Sequence, residues 1–228
     1  MFFKVTHGRD FQKIKEINQG EKEIMLITQL KKKEDILPFL KAKTLLVACF
    51  GCKEVYFPEK EYKNIKEELK TLYPGLSGEI ILDYLCNEDY TGKRLELYRQ
   101  ELEKAETIVV FACGVGVQTL AGLLASKTVL AGCDTYYLPG FSGFTPSSYD
   151  CEQCGECRLS STAGICPVTA CSKGLLNGPC GGAKNGKCEV SKIKECGWEN
   201  IMNKITTTGK VAGKLKESVS IRDYKKSQ

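Results

Sequence analysis

The sequence has one histidine, His7, among 228 residues, and no apolar run as long as a membrane-spanning helix. A metal site built from several imidazoles is therefore excluded, and a histidine-dependent triad would need a residue near the N-terminus. A helix that crosses a bilayer needs about 20 mostly apolar residues. The start, Met1-Phe2-Phe3-Lys4, also lacks the apolar stretch and cleavage site of a signal peptide. We therefore expect a cytoplasmic protein with no membrane span.

Positive and negative charges are nearly balanced in the sequence. The sequence has 33 Lys and Arg against 28 Asp and Glu, a net charge of +5, with both signs mixed along the chain. A nucleic-acid-binding protein is expected to carry a clustered basic face, so no nucleic acid partner is predicted. Hydrophobic residues at 42% and charged residues at 27% are ordinary for a globular protein. This composition excludes a disordered chain and a collagen-like or coiled-coil rod.

Cysteine is abundant, with 13 residues in the sequence. Disulfide scaffolds are typical of short secreted chains with an even number of cysteines, and this chain has an odd number and no export signal. A single buried cysteine can act as a small hydrophobic residue, so Cys133 is either such a core thiol or a substitute metal ligand. Eight cysteines lie between Cys151 and Cys196. So many thiols within one short segment are predicted to bind metal.

Short apolar runs alternate with amphipathic charged stretches in the first two thirds of the chain. Buried strands are predicted at residues 44–48, 79–85, 107–112 and 128–131, and helices at 59–72, 93–105 and 117–126. Strands that alternate with helices indicate an α/β fold with a parallel, Rossmann-like sheet.

The composition changes after this α/β part, because the next segment is rich in Cys, Gly, Lys, Ser and Asn and poor in apolar residues. Burial alone cannot stabilise such a segment, whereas metal binding can supply the missing free energy. We predict a small cysteine-rich, metal-organised domain there. The predicted parts are an N-terminal lead-in at 1–42 with a helix-like stretch at 35–40, the α/β domain at 43–149, the cysteine-rich domain at 150–198 and a Lys-rich C-terminal tail at 199–228.

Four cysteines follow strands of the predicted sheet. Cys49 and Cys52 follow the first strand, Cys86 the second and Cys113 the third. Right-handed crossovers bring the carboxyl ends of consecutive parallel strands to one edge, where open α/β sheets usually bind ligands. The four thiols are therefore predicted to hold one [4Fe-4S] cluster or one zinc ion. The alternative is that each cysteine packs as a small residue under a loop.

Two glycines follow Cys113 closely. Gly114 and Gly116 resemble part of a dinucleotide-binding loop, but Thr119 occupies the position of its third glycine and the loop follows the third strand. Dinucleotide binding is therefore not the favoured interpretation. We predict that Gly114 and Gly116 are cofactor-binding residues that let the backbone approach a cluster, or that they begin a helix tightly.

The second group of cysteines begins with a spacing known from iron-sulfur proteins. Cys151, Cys154 and Cys157 are spaced like the first three ligands of bacterial ferredoxins, but Cys166-Pro167 follows after eight residues rather than three, which excludes strict ferredoxin homology. Two four-thiolate zinc sites are the main rival to clusters. The eight predicted ligands are enough for two four-thiolate sites, or for one cluster with spare thiols: Cys151, Cys154, Cys157, Cys166, Cys171, Cys180, Cys188 and Cys196.

Motifs within this segment resemble the methylenetetrahydrofolate reductase C-terminal family, which includes the MetV-type small iron-sulfur subunit of the acetogen reductase. The resemblance is dense over residues 151–198 and looser over the α/β part. The residues that carry it include Cys151-x-x-Cys154-Gly155-x-Cys157, Gly164-Ile165-Cys166-Pro167, Asn177-Gly178-Pro179-Cys180-Gly181-Gly182 and Cys196-Gly197-Trp198.

The resemblance implies a partner, a flavin-bearing barrel subunit that carries FMN and binds the folate. It predicts an electron-transfer subunit that takes electrons from ferredoxin or another electron-donating protein through two or three [4Fe-4S] clusters to that FMN, with zinc as an alternative in one site. No catalytic residue is predicted in this chain. The second hypothesis is a zinc-binding structural adaptor that docks the flavoprotein into a larger complex and carries no electrons.

Overall fold

The computed structural model describes residues 26–40, 43–137, 150–208 and 219–224. His7 lies outside these residues. The described part of the chain forms seven strands, which belong to two sheets: β1 (Leu26–Leu30), β2 (Thr44–Cys49), β3 (Val55–Tyr56), β4 (Leu76–Leu82), β5 (Thr107–Phe111), β6 (Thr128–Ala131) and β7 (Cys133–Tyr137).

The larger sheet is parallel, with the strand order β4-β2-β5-β6. Its central strands are buried on both faces, as the continuous apolar runs in their sequences predict. The prediction of an α/β fold with a parallel sheet is thus confirmed. The predicted second strand is shifted, since β4 ends at Leu82 and Leu85 lies beyond it.

The smaller sheet has three strands in the order β3-β1-β7. β1 pairs in parallel with β3 and antiparallel with β7, in a register from Leu26 opposite Tyr137 to Leu30 opposite Cys133. β1 lies within the predicted lead-in, where no sheet strand was expected. The four predicted domain boundaries stay predictions.

Six helices cover the sheets or lie in the cysteine-rich segment within the described residues. Their bounds are α1 (Glu59–Leu72), α2 (Glu88–Leu95), α3 (Arg99–Lys104), α4 (Gly114–Leu123), α5 (Pro167–Ala170) and α6 (Gly197–Thr208). Short 3-10 helices span Lys33–Asp35, Leu37–Phe39, Glu96–Tyr98 and Leu159–Ser161.

The predicted helix at 59–72 is confirmed by α1, and two other predicted helices are corrected. The helix predicted at 93–105 begins earlier, because the Asn87 side chain caps α2 by accepting a hydrogen bond from the Tyr90 N–H at 3.0 Å. A 3-10 turn then separates α2 from α3. The helix predicted at 117–126 begins at Gly114, and the helix-like stretch at 35–40 contains 3-10 turns.

Side chains of the parallel sheet pack into two cores on its opposite faces. Leu45 and Val47 of β2 point into one core, and Leu46 and Ala48 into the other. This alternation follows from the two-residue period of a strand. On the second face the Tyr62 ring of α1 packs edge-on against Phe111 with 4.9 Å between ring centroids.

The cysteine-rich segment has a small apolar core of its own. Trp198 and Ile201 of α6 are buried there beside Cys196, and Leu175 packs against them. The Trp198 indole N–H donates a hydrogen bond to the Leu175 carbonyl oxygen at 2.9 Å. No helix among the described residues is long and apolar enough to cross a membrane.

Candidate metal centre

Three of the four sheet-edge cysteines lie together beyond the carboxyl ends of the parallel strands. Cys49 ends β2, Cys86 precedes α2 and Cys113 is the N-cap residue of α4. Burial, together with smaller effects of the neighbouring thiols of Cys113 and Cys86, raises the pKa of the Cys49 thiol to about 12. These three sulfur atoms are therefore close enough to interact electrostatically.

Cys52 belongs to the same edge but has a carboxylate as its direct partner. Its thiol donates a hydrogen bond to Oε2 of Glu54 at 2.9 Å. Burial and then this hydrogen bond raise the pKa of Cys52 to about 12. Burial also raises the pKa of Cys86, and the charge of Glu54 adds to that effect. The Glu54 carboxylate is thus a neighbour of both thiols.

The first turn of α4 surrounds the Cys113 thiol. Burial raises the pKa of Cys113, while the backbone N–H groups of Gly116 and Val115 act in the opposite direction by hydrogen bonding to its sulfur. Donors of this kind at a helix N-terminus favour a thiolate. These N–H groups would also donate to a metal-bound sulfur at Cys113, although in the metal-free protein burial outweighs them and favours the neutral thiol.

The two glycines of this turn have different surroundings. A Cβ atom on Gly114 would lie 2.6 Å from the sulfur of Cys151, so only glycine allows that sulfur to reach the backbone here. A Cβ atom on Gly116 would lie 3.1 Å from Cβ of Leu85, which is a packing contact. The cofactor-binding role of both residues stays a prediction.

Half of the second group of cysteines converges on one cavity. Cys151, Cys154, Cys157 and Cys166 all line it, although Cys166 is nine residues beyond Cys157. Burial raises the pKa of Cys157 to about 12 and the pKa of Cys151 well above its ordinary value. Metal binding would have to displace the protons of these thiols. The other residues around the cavity include Gly114, Gln118, Thr135, Gly155, Leu159 and Val168.

Strand β7 holds two of these cysteines, Cys154 and Cys157, in place. The Cys157 N–H donates to Oδ1 of Asp134 at 2.7 Å, and the Gly155 N–H donates to the Thr135 carbonyl oxygen at 2.9 Å. Tyr136 forms an isolated antiparallel bridge with Cys154. The cysteine-rich segment therefore lies along β7, a contact that the sequence analysis missed.

Gln118 of α4 connects the fourth cysteine to the start of the segment. Its Nε2 donates to the Asp150 carbonyl oxygen at 2.7 Å, and its Oε1 accepts a hydrogen bond from the Cys166 N–H at 3.3 Å. The side chain is only 5% exposed. A polar residue inside the apolar helix Gly114–Leu123 is the signal that could have identified it, because buried polar groups need partners.

Two of the remaining four predicted ligands belong to the small core of the cysteine-rich segment, and the other two have different contacts. Cys171 and Cys196 pack near Trp198. The pKa of Cys188 is lowered, chiefly by a hydrogen bond from the Val190 backbone N–H. The Cys180 thiol lies 3.4 Å from Oε1 of Glu189. These four cysteines, called the group around Trp198 below, follow the cavity cysteines in the chain, beginning five residues after Cys166.

The cysteine thiols lie in groups, but no group has the geometry of a complete metal site. Among the described residues, no three His, Cys, Asp or Glu side chains are placed so that they could hold one metal ion together. The donor type still fits the predicted groups, because thiolates select zinc and iron-sulfur clusters over magnesium or calcium. Metal binding by the twelve cysteines stays a prediction, and Cys133 is a fully buried thiol on β7.

Comparison with known proteins identifies the part of the chain that contains this cavity. Residues 130–225 match the family model of the methylene-tetrahydrofolate reductase C terminal. The match covers less than half of the chain, begins within β6 and includes β7 and all eight cysteines of the second group. This match supports the family resemblance that the cysteine motifs indicate, at the coarse level of the reductase C terminal. The curated proteins and the solved structures contain no significant match to the chain.

Proposed function

We propose that this protein is the electron-transfer subunit of a methylenetetrahydrofolate reductase complex. It takes electrons from ferredoxin or another low-potential donor and passes them through [4Fe-4S] clusters to the FMN of a flavin-bearing barrel subunit that binds the folate. The observation that carries the proposal is the convergence of Cys151, Cys154, Cys157 and Cys166 on one cavity, inside the residues that match the reductase family.

The cysteines divide into three groups by position. The four cavity cysteines would hold one cluster, and the four sheet-edge cysteines a second. The group around Trp198 would hold a third cluster or a zinc ion. A bound [4Fe-4S] cluster supplies one-electron transfer. The proposal assigns no catalytic residue to this chain, because the folate chemistry belongs to the partner.

The first two groups meet at the start of α4. Cys113 faces the sheet edge, and the sulfur of Cys151 packs against the adjacent Gly114. The pKa of the buried Cys151 thiol is raised further by the neighbouring Cys113. Electron transfer needs short gaps between cofactors, and this adjacency would supply one. The N–H groups of Val115 and Gly116 that hydrogen bond to Cys113 would also tune the bound group.

A zinc-binding structural adaptor is the second candidate. This candidate is favoured by the low content of regular secondary structure in the described residues 150–196, where the helices are α5 and one 3-10 turn. Zinc binding stabilises segments of this kind. Such a protein would dock the flavoprotein into a larger complex and carry no electrons.

Metal analysis of anaerobically purified protein, combined with ferredoxin-linked reduction of methylenetetrahydrofolate by the complex, separates the two functions. Replacing Cys157 by alanine is expected to remove about four iron atoms per chain and to reduce the ferredoxin-linked rate sharply. The flavoprotein assayed alone with an artificial electron donor should keep its activity. Cys133→Ala is the matched control, since Cys133 is a buried neighbouring thiol outside the twelve predicted ligands, and it should keep its iron.

The second cluster is tested in the same way by the Cys49→Ser, Cys113→Ser double variant. It should lose about four iron atoms and keep the remainder. Zinc in every preparation with iron near zero would favour the adaptor. Full metal content and full rate in Cys157→Ala would overturn the proposed electron path.

A further inference from the structure

A partly buried ion pair lies beside Cys157, one of the four cavity cysteines. Nζ of Lys31 is 2.6 Å from Oδ1 of Asp134, and the two side chains are 16% and 20% exposed. Lys31 follows β1 and Asp134 lies in the neighbouring strand β7. The Lys31 N–H donates to the Gly132 carbonyl oxygen at 2.9 Å, which fixes the backbone at this position.

The pair acts on one of the predicted cluster ligands. The same Oδ1 of Asp134 accepts the Cys157 N–H at 2.7 Å. Burial raises the pKa of the Cys157 thiol, whereas the Lys31 ammonium lowers it and the Asp134 carboxylate raises it. Since Oδ1 of Asp134 contacts both the Cys157 backbone nitrogen and Nζ of Lys31, both charges lie close to Cys157 in a partly buried environment, where screening by salt is weak.

The cation itself stays charged. Burial would lower the pKa of Lys31, but the carboxylate of Asp134 and the neighbouring Cys157 raise it above its ordinary value. Asp35 contributes in the same direction. A positive and a negative charge are thus held at fixed positions beside one thiol.

We propose that the Lys31–Asp134 pair sets the reduction potential of the cluster held by Cys151, Cys154, Cys157 and Cys166. This inference rests on the proposed function. The step is a one-electron reduction in which no bond forms or breaks. Because reduction adds negative charge, a nearby cation favours the reduced state and raises the potential, and a nearby anion lowers it. Lys31 and Asp134 are positioning residues that act through Cys157.

Removing the positive charge of Lys31 and removing the negative charge of Asp134 should shift the reduction potential in opposite directions. A purely structural role of the pair would not produce opposite shifts. In Lys31→Met the unpaired Asp134 carboxylate remains, so the one-electron reduction equilibrium should move about tenfold toward the oxidised state, or about 59 mV to lower potential. In Asp134→Asn the unpaired ammonium remains, so the potential should rise. The asparagine oxygen can still accept the Cys157 N–H. The double variant should return close to the starting potential.

The measurement is a redox titration of the full chain followed by electron paramagnetic resonance, with iron and sulfide determined for each variant. Lys33→Met is the control, because Lys33 pairs with Glu68 at 2.8 Å on the exposed surface, with side chains 37% and 53% exposed. Its potential should not change.

Two results would overturn the inference. One is an unchanged potential in Lys31→Met with full iron content, and the other is a shift of both single variants in the same direction. If Lys31→Met fails to assemble the cluster, Asp134→Asn decides, since a raised potential supports the inference and an unchanged one refutes it. Starting protein without iron would instead refute the proposed function.

Discussion

Replacing Gln118 by leucine is expected to weaken the attachment of the cysteine-rich segment to α4. The two side chains are similar in size, so the change removes hydrogen bonds with little change of volume. Gln118 is almost fully buried, and it bonds both the Asp150 carbonyl oxygen and the Cys166 N–H. The variant therefore isolates the polar part of this contact.

The expected loss of stability depends on which hydrogen bonds the two partners of Gln118 keep in the leucine variant. The Cys166 N–H would lose its side-chain acceptor, and an unsatisfied buried donor costs about 1–3 kcal/mol. The Asp150 carbonyl oxygen would keep the Thr169 hydroxyl at 3.2 Å, so the loss of its other bond costs about 0.5–1.5 kcal/mol. We expect the free energy of unfolding to fall by about 1.5–4.5 kcal/mol in total.

Urea unfolding of protein purified under anaerobic conditions measures this loss. Gln100→Leu is the matched control, because Gln100 is exposed on α3 and its replacement should change the free energy of unfolding by less than about 0.5 kcal/mol. A value for Gln118→Leu within the range of the control would refute the argument that Gln118 holds the segment on α4.

Two further predictions concern a glycine and a buried thiol. Gly164 has a φ of +78°, and a methyl group on it would overlap the methyl of Ala121. Gly174 has a φ of +60° and open space around it. In urea unfolding, the free energy of unfolding of Gly164→Ala should therefore be lower than that of Gly174→Ala by about 1–3 kcal/mol. Equal losses would contradict this packing argument. Burial raises the pKa of Cys157 from 9.0 to about 12, so below pH 9 the neutral thiol stabilises the folded metal-free protein. This stabilisation is lost as the pH rises toward 12, by up to about 1.4 kcal/mol per pH unit. Cys157→Ala should show a shallower decline in urea unfolding over that range, and an identical pH profile would count against the burial of this thiol.

The parallel sheet could be predicted because its strands are locally distinctive. The run Leu45–Ala48 is apolar at every position, as expected for a strand covered on both faces. β7 has the sequence Cys-Asp-Thr-Tyr-Tyr, which lacks such a run. Its strand character depends on pairing with β1, and no local pattern specifies a partner so far away in the chain. The same holds for the two-residue strand β3.

The candidate site was predictable in part for a similar reason. The rule that parallel strands end at one edge is enough to group Cys49 with Cys113, and the ferredoxin-like spacing is enough to group Cys151 with Cys157. The contact of Cys151 with Gly114 arises only when the cysteine-rich segment folds back onto α4. That contact depends on Gln118 and on β7, and neither belongs to a recognisable metal-binding motif.

The central position of β1 in the smaller sheet has a consequence for the order in which the protein is assembled. Lys31 and Asp134 are 103 residues apart, so during synthesis β1 must wait with an open edge until β7 has left the ribosome. Pairing of such distant strands is slow. Because Asp134 and Thr135 of β7 bond the backbone of the cysteine-rich segment, the strand that completes this sheet also positions Cys157 and Gly155 beside the cavity.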